Sequence, residues 1–302
     1  MFSKPTRRAA HESALRSPNK SVNKSASFLY ALGTIALWST LAAIGVALQH
    51  VPPFLLTGLA LTIGSVPGWY RVREWRVPWR TLALGIYGLF GYHLLLFIAL
   101  RHAPAVEANL VNYLWPLLIV LLSPLVLPGM HLGWRHAVAG AMGFCGAAVA
   151  IAGGAPVTGE LSWGFIPAAG AAFVWATYSL GTQRVPLFPT SAIGLFCLVS
   201  GVLSLTCHVL FEPAATLAVR DWALIAIAGL GPLGLAFFMW DKALKLGDPR
   251  EIGILSYITP LASTLILALT TGRELGFHLL LATLLIVGAA LFGLRRAAAA
   301  EQ

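Results

Sequence analysis

Stretches of about 20 apolar residues, the length a helix needs to cross a hydrocarbon core of about 30 Å, follow one another along almost the whole chain. Ten can be read, at about 28–48, 54–72, 81–100, 105–127, 134–153, 162–182, 190–211, 222–244, 250–270 and 276–294. In lipid each backbone amide must find its partner within the protein, so a sequence of this pattern predicts an all-α integral membrane protein of ten transmembrane helices. Only 10% of the residues are charged, against roughly 25% in a soluble domain.

The net charge of +9 invites a nucleic-acid reading, which the placement of the bases excludes: they stand at span ends and in the tails rather than on one face. With the N-terminus in the cytoplasm, 17 Lys and Arg fall on the cytoplasmic side and three, Arg101, Arg220 and Arg273, on the other. That asymmetry sets both termini inside. Residues 1–27, basic and Ser-rich, read either as an organelle transit peptide or as a disordered cytosolic tail, and the tail is expected. Cys145, Cys197 and Cys207 all lie within spans, so neither a disulfide framework nor a zinc site is indicated.

The chain repeats itself. A shift of 144 lays Ala99-Leu100-Arg101 on Ala243-Leu244-Lys245, Glu107 on Glu251, Tyr113 on Tyr257 and Pro116 on Pro260. A shift of 137 lays Gly33, Trp38, Thr40 and Pro52 on Gly170, Trp175, Thr177 and Pro189, and a shift of 143 lays Leu132-Gly133-Trp134 on Leu275-Gly276-Phe277. The expected organisation is a tail (1–27), a five-helix repeat (28–154), a second, inverted five-helix repeat (161–295) and a short cytosolic tail (296–302). Five is odd, so the second copy enters the membrane from the opposite side. Inverted repeats of this kind are a transporter architecture, with the substrate between the halves near the midplane and alternating access by rocking one half on the other. A duplicated scaffold without transport is the plainer alternative.

The paired five-span halves, the Trp38 and Trp175 pair and the Pro116 and Pro260 pair resemble the drug/metabolite transporter superfamily, in its EamA-type ten-helix branch. The segment Asn112-Tyr113-Leu114-Trp115-Pro116, with Tyr92-His93 on the preceding helix, is similar to aromatic amino acid exporters of the YddG type. The resemblance implies a basket-like bundle opening between the halves, residence in the cell inner membrane and export of amino acids from the cytoplasm.

The candidate site residues follow from what lipid penalises. A mid-span proline removes a backbone hydrogen bond and frees a carbonyl about one turn earlier, near Asn112 for Pro116 and near Ser256 for Pro260. Such a carbonyl is tolerated where neighbouring groups or cavity water satisfy it. On an unbroken helix Asn109, Asn112, Tyr113 and Pro116 share a face and Trp115 turns about 100° away; a packing kink is the alternative reading. Tyr257 and Pro260 repeat the arrangement. His93, beside Tyr92 well inside the third span, is either a satisfied interhelical donor or a cavity group that, with Tyr92, offers hydrogen bonds to a substrate carboxylate. Trp38 and Trp175 divide between cavity lining and packing, and Trp163, close to a span end where aromatic belts collect, is a further candidate. Lys242 reaches either the headgroups or an inward cavity.

Glu107 and Glu251 each follow a span start and read as helix-cap carboxylates, with Asp248-Pro249-Arg250-Glu251 spelling N-cap, Pro at N1 and Glu at N3. No Asp or Glu then lies at mid-span. A cavity lined by Tyr92, Tyr113, Trp115, Tyr257, Trp38 and Trp175 stacks flat rings at about 0.5–1.5 kcal/mol per pair and holds an ammonium by cation–π contact. Without a mid-span carboxylate a strongly cationic drug lacks its counter-charge, whereas an amino acid zwitterion needs only polar partners at each end. Selection of aromatic over other amino acids is implied by the resemblance alone. The expected partners are that small molecule and the lipid bilayer, with no nucleic acid, no cofactor and a monomer as the working unit. An intramembrane enzyme finds no support in any His-Glu-x-x-His, Gly-x-Ser-Gly or Cys/His ligand set, nor a channel in any charged ring or repeated carbonyl filter.

Overall fold

A computed structural model describes residues 23–153, 161–271 and 276–294, and among these every element is helical. Among the described residues seven helices are long and apolar enough to cross a membrane: α1 (Lys24–Ala47), α3 (Trp79–His102), α4 (Ala105–Val126), α5 (Trp134–Ala152), α7 (Thr190–Phe211), α8 (Val219–Leu246) and α9 (Pro249–Thr270). Three shorter apolar helices, α2 (Pro53–Gly64), α6 (Phe165–Gly181) and α10 (Phe277–Gly293), stand between them. The tails, including Arg295 and Arg296, and Arg273 lie outside the described residues.

The two largest departures from the expected boundaries have local reasons. Helix α1 starts at Lys24 rather than at residue 28, because the Asn23 side chain accepts from the Ala26 amide at 3.1 Å and caps the helix. Helix α2 stops at Gly64, not at residue 72: Pro67 supplies no amide, and the chain continues as short 3₁₀ turns over Val66–Trp75.

The helices pack in pairs: α1 on α8, α3 on α6, α2 on α7, α4 on α9 and α5 on α10. Close approach requires small residues where lipid provides no hydrophobic drive between helices. At Gly146 of α5 an added Cβ would stand 2.7 Å from Ile286 of α10, so the two axes meet only because that side chain is missing.

Interhelical bonds sort the helix ends into two sets. At one end Lys24 pairs with Glu251 at 2.9 Å, Ser27 Oγ donates to the Ala243 carbonyl at 2.9 Å and Gln183 donates to the Leu244 carbonyl at 3.0 Å. At the other, Arg101 pairs with Glu212 at 3.2 Å and His50 with Asp221 at 3.2 Å. The first end also carries Arg71, Arg73, Arg76, Arg80, Arg135, Arg184, Lys242, Lys245 and Arg250, and is called the basic end below. Asp248 caps α9 there, accepting from the Arg250 amide at 2.8 Å.

Candidate functional site

Five helices are interrupted, each in its middle third. Helix α1 breaks after Trp38, α4 at Tyr113-Leu114 and α9 at Ser256-Tyr257, while α3 and α8 carry one π-helical turn each, at Tyr87–Gly91 and Gly231–Leu235. Pro116 and Pro260 open the second segments of α4 and α9, where their missing amides cost nothing. Side chains bond the backbone at the breaks: Trp38 Nε1 donates to the Pro232 carbonyl at 3.1 Å, and Ser39 Oγ adds a bond of 2.7 Å to the Ile35 carbonyl, which already accepts the Ser39 amide.

The breaks surround a cavity of about 710 Å³. Its wall is made by Trp38, Leu41, Ala42, Gly45, Val46 and Gln49 of α1, Tyr92, His93, Leu96 and Leu100 of α3, and Ala105, Asn109, Asn112, Tyr113 and Trp115 of α4. Trp175 of α6, Leu233 and Phe237 of α8, and Thr259 and Ser263 of α9 complete it. None of these side chains is an Asp, Glu, Lys or Arg. The lining runs toward the end opposite the basic one, where Gln49, Leu100 and Ala105 form the mouth.

Toward the basic end the cavity is floored by the indoles of Trp38, Trp115 and Trp175, with Trp240 packed beneath them. Trp38 stands 6.1 Å from Trp115, 5.6 Å from Trp175 and 5.2 Å from Trp240 between ring centroids, and Trp115 stands 5.6 Å from Trp240. All but the tilted Trp38–Trp240 pair are edge-to-face, an arrangement worth about 0.5–1.5 kcal/mol per pair beyond burial. Trp240 is fixed below by donation to Ser179 Oγ at 3.1 Å. Above the floor Tyr92 leans on Trp175 at 5.3 Å, and Asn112 Nδ2 donates to Tyr92 Oη at 3.1 Å.

Of the residues singled out in the sequence, Trp38, Tyr92, His93, Asn112, Tyr113, Trp115 and Trp175 meet in this cavity. The break in α4 explains why Trp115 joins Asn112 and Tyr113, since beyond Leu114 the helical phase no longer carries over, and Pro116 is turned into the packing instead. Five candidates lie elsewhere. Tyr257 is fully buried in a separate cluster with Ala147 and Ile286, and Pro260 is buried beside it in sequence. Pro116 packs toward Gly253 of α9. Trp163 stacks on His102 with centroids 4.1 Å apart, at the exposed end of the bundle. Lys242 is at the basic end, its ammonium 5.1 Å over the Tyr30 ring and 3.3 Å from Tyr30 Oη, and it does not line the cavity.

The repeat would have revealed two lining residues that single-motif reading missed. The 144-residue shift pairs His93 with Phe237 and Trp115 with Thr259, and all four line the cavity. Gln49 and Ser263 carried no such signal. Among the described residues no group of His, Cys, Asp and Glu could hold a metal ion.

The EamA-like transporter family model matches twice, over residues 25–152 and 162–295. An aromatic amino acid exporter YddG from Ancylobacter novellus is 41% identical over 279 residues, covering 89% of this chain and 97% of its relative. The YddG of Escherichia coli, also an aromatic amino acid exporter, is 26% identical over 87% of this chain and 94% of its own length. A crystal structure with 40% sequence identity superposes with a TM-score of 0.82, covering 90% of this chain and 98% of that one.

Proposed function

The chain belongs to the EamA-like transporter family, and from that premise we propose that it exports amino acids with aromatic or apolar side chains across the cell inner membrane. The observation that carries the reading is a ring-lined cavity with polar groups but no Asp, Glu, Lys or Arg in its wall. A drug-sized or smaller ligand suits a volume of this order. Indole and phenol faces take a flat side chain and also an ammonium group, while the amides, hydroxyls and imidazole offer hydrogen bonds to both ends of a zwitterion. A dication or dianion finds no counter-charge there, and burying an unpaired charge is costly.

Ten membrane spans in two inverted repeats are part of the proposal. Its support is the doubled family match and the packing, in which exchanging the first five helices for the last five maps α1 on α8 to α6 on α3 and leaves the pairs α2 with α7, α4 with α9 and α5 with α10 unchanged. Helix α1 runs from the basic end, whereas α6 begins beside His102 at the opposite end. By the positive-inside rule the basic end is cytoplasmic, along with both termini, so the cavity as described opens outward and its indole floor and the Ser27–Ala243 and Gln183–Leu244 bonds close the inner side. Rocking of the halves about the interrupted helices then exposes the same site to the cytoplasm. The single chain holds the whole cavity, and a monomer suffices. Counterflow of labelled phenylalanine or tryptophan into liposomes holding the purified protein tests this: saturable exchange supports a carrier, and unsaturable conductance or chemically altered substrate overturns it.

A further inference from the structure

His93 is the one imidazole in the cavity wall, and the fold decides which of its nitrogens carries a proton. Beside the π-helical turn over Tyr87–Gly91, the Leu89 carbonyl accepts from the Tyr92 amide and is also met by His93 Nδ1 at 2.6 Å. A carbonyl oxygen can only accept, so Nδ1 is the protonated nitrogen, and in the neutral ring Nε2 is left with a lone pair and no hydrogen. No hydrogen bond within the described residues occupies that nitrogen. In the same wall, Asn112 is 4% exposed and donates from Nδ2 to Tyr92 Oη, while its oxygen Oδ1 is buried and has no partner. Two neutral acceptors without donors are therefore set among aromatic rings.

The α9 wall has the opposite character. Thr259, 4% exposed, has a hydroxyl with no partner, and Ser263 stands one turn further along the lining. Hydroxyls can donate, and this segment packs on the second half of α1, away from α3. We propose that the cavity has fixed poles: the substrate ammonium is received by His93 Nε2 and Asn112 Oδ1, and the carboxylate by the hydroxyls of Thr259 and Ser263. The assignment rests on the transport reading above and reverses the expectation that His93 serves the carboxylate. It also explains why the site needs no ionised partner, since each substrate charge meets groups whose hydrogen-bonding sense is already set, and bonds to a charged group are the strong ones.

Three ligands separate the poles by inhibition of phenylalanine counterflow: phenylalanine, phenethylamine without the carboxylate, and 3-phenylpropanoate without the ammonium. His93→Phe is a mild change, because Phe237 holds the matching position after the π-helical turn of α8. It is expected to weaken phenylalanine and phenethylamine about tenfold and leave 3-phenylpropanoate within about twofold. Thr259→Val combined with Ser263→Ala is expected to weaken phenylalanine and 3-phenylpropanoate and spare phenethylamine. Nitrogen-15 NMR of histidine-labelled protein gives a readout without substitution: the His93 signals, identified by their loss in H93F, should report a proton on Nδ1, and Nε2 should shift with phenylalanine but not with 3-phenylpropanoate. A proton on Nε2, or equal losses for all three ligands in each variant, overturns the polarity while leaving transport intact. A wild type that exchanges none of the amino acids overturns the transport reading instead.

Discussion

Arg101, in the last turn of α3, lies 3.2 Å from Glu212, whose fully buried carboxylate also accepts from the backbone amides of Phe54 at 3.0 Å and Leu55 at 3.2 Å. His208 completes the set at 3.0 Å. The residue after α7 thus caps the N-terminus of α2 and ties α3 to both, at the end where the cavity opens. Lys245, the repeat mate of Arg101, does the corresponding thing at the basic end, donating to the Phe188 carbonyl at 2.8 Å just ahead of α7 and to Asp241 at 2.6 Å. In each half the cation ending the third helix is anchored to the start of the second.

The buried carboxylate, rather than the ion pair, is expected to carry the stability of the outer anchor. Arg101 is 47% exposed, so Arg101→Ala should cost about 0.5 kcal/mol. Glu212→Ala strands two helix-start amides and two side chains, and should cost about 3 kcal/mol. Thermal unfolding of the detergent-solubilised variants compares them; equal losses would contradict the capping role.

Tyr113→Ala and Trp115→Ala are expected to abolish counterflow while the protein still reaches the membrane in normal amounts. Lys242→Ala and Trp163→Ala, which lie outside the cavity, should exchange substrate at the wild-type rate. Wild-type exchange by both of the first pair removes the cavity assignment.

Gly88→Ala is expected to destabilise by about 1–3 kcal/mol through overpacking, since its Cβ would stand 2.2 Å from the Tyr178 ring across the α3–α6 contact. An unchanged unfolding temperature would mean that the two helices are further apart than described.

Ser27→Cys with Ala243→Cys, in a background without Cys145, Cys197 and Cys207, should be joined by a short thiol crosslinker, since Ser27 Oγ reaches the Ala243 carbonyl. The joined protein should bind phenylalanine from outside yet fail to exchange it, and reduction of a cleavable linker should restore exchange. Full exchange with the link in place would show that the basic end never opens.

Burial alone would raise the Asp248 carboxyl, but the hydrogen bonds and charge of Arg250 hold it below its ordinary value of 3.8. A depressed folded value means the cap is fully stabilising above the ordinary value of 3.8 and is lost as the pH falls through the lower folded value. Wild-type stability should therefore decline below about pH 4 more steeply than that of Asp248→Asn. Parallel pH profiles would assign the acid loss to other groups.

How much of this was legible beforehand depends on which physical constraint wrote the signal. Lipid demands apolar runs of a set length, so an all-helical membrane protein could be read off the chain, and the matching Trp, Tyr and Pro residues at a constant shift carry the proposal of two inverted halves. A proline in an apolar run costs a hydrogen bond, so the breaks in α4 and α9 were visible at Pro116 and Pro260, and with them Asn112 and Tyr113.

Tertiary packing alone decided whether both members of a repeated pair meet the cavity, as Trp38 and Trp175 do, or only one. Tyr113 lines it while Tyr257 is sealed in a neighbouring cluster, because the two copies enclose one space and present different sides to it. It also decided that Trp115 faces inward, since a broken helix loses the phase from which facing is read, and that Lys242 stays at the basic end. The proton on His93 Nδ1 belongs to the same class: it follows from a carbonyl that a π-helical turn places within reach, and no spacing of residues along the chain expresses that distance.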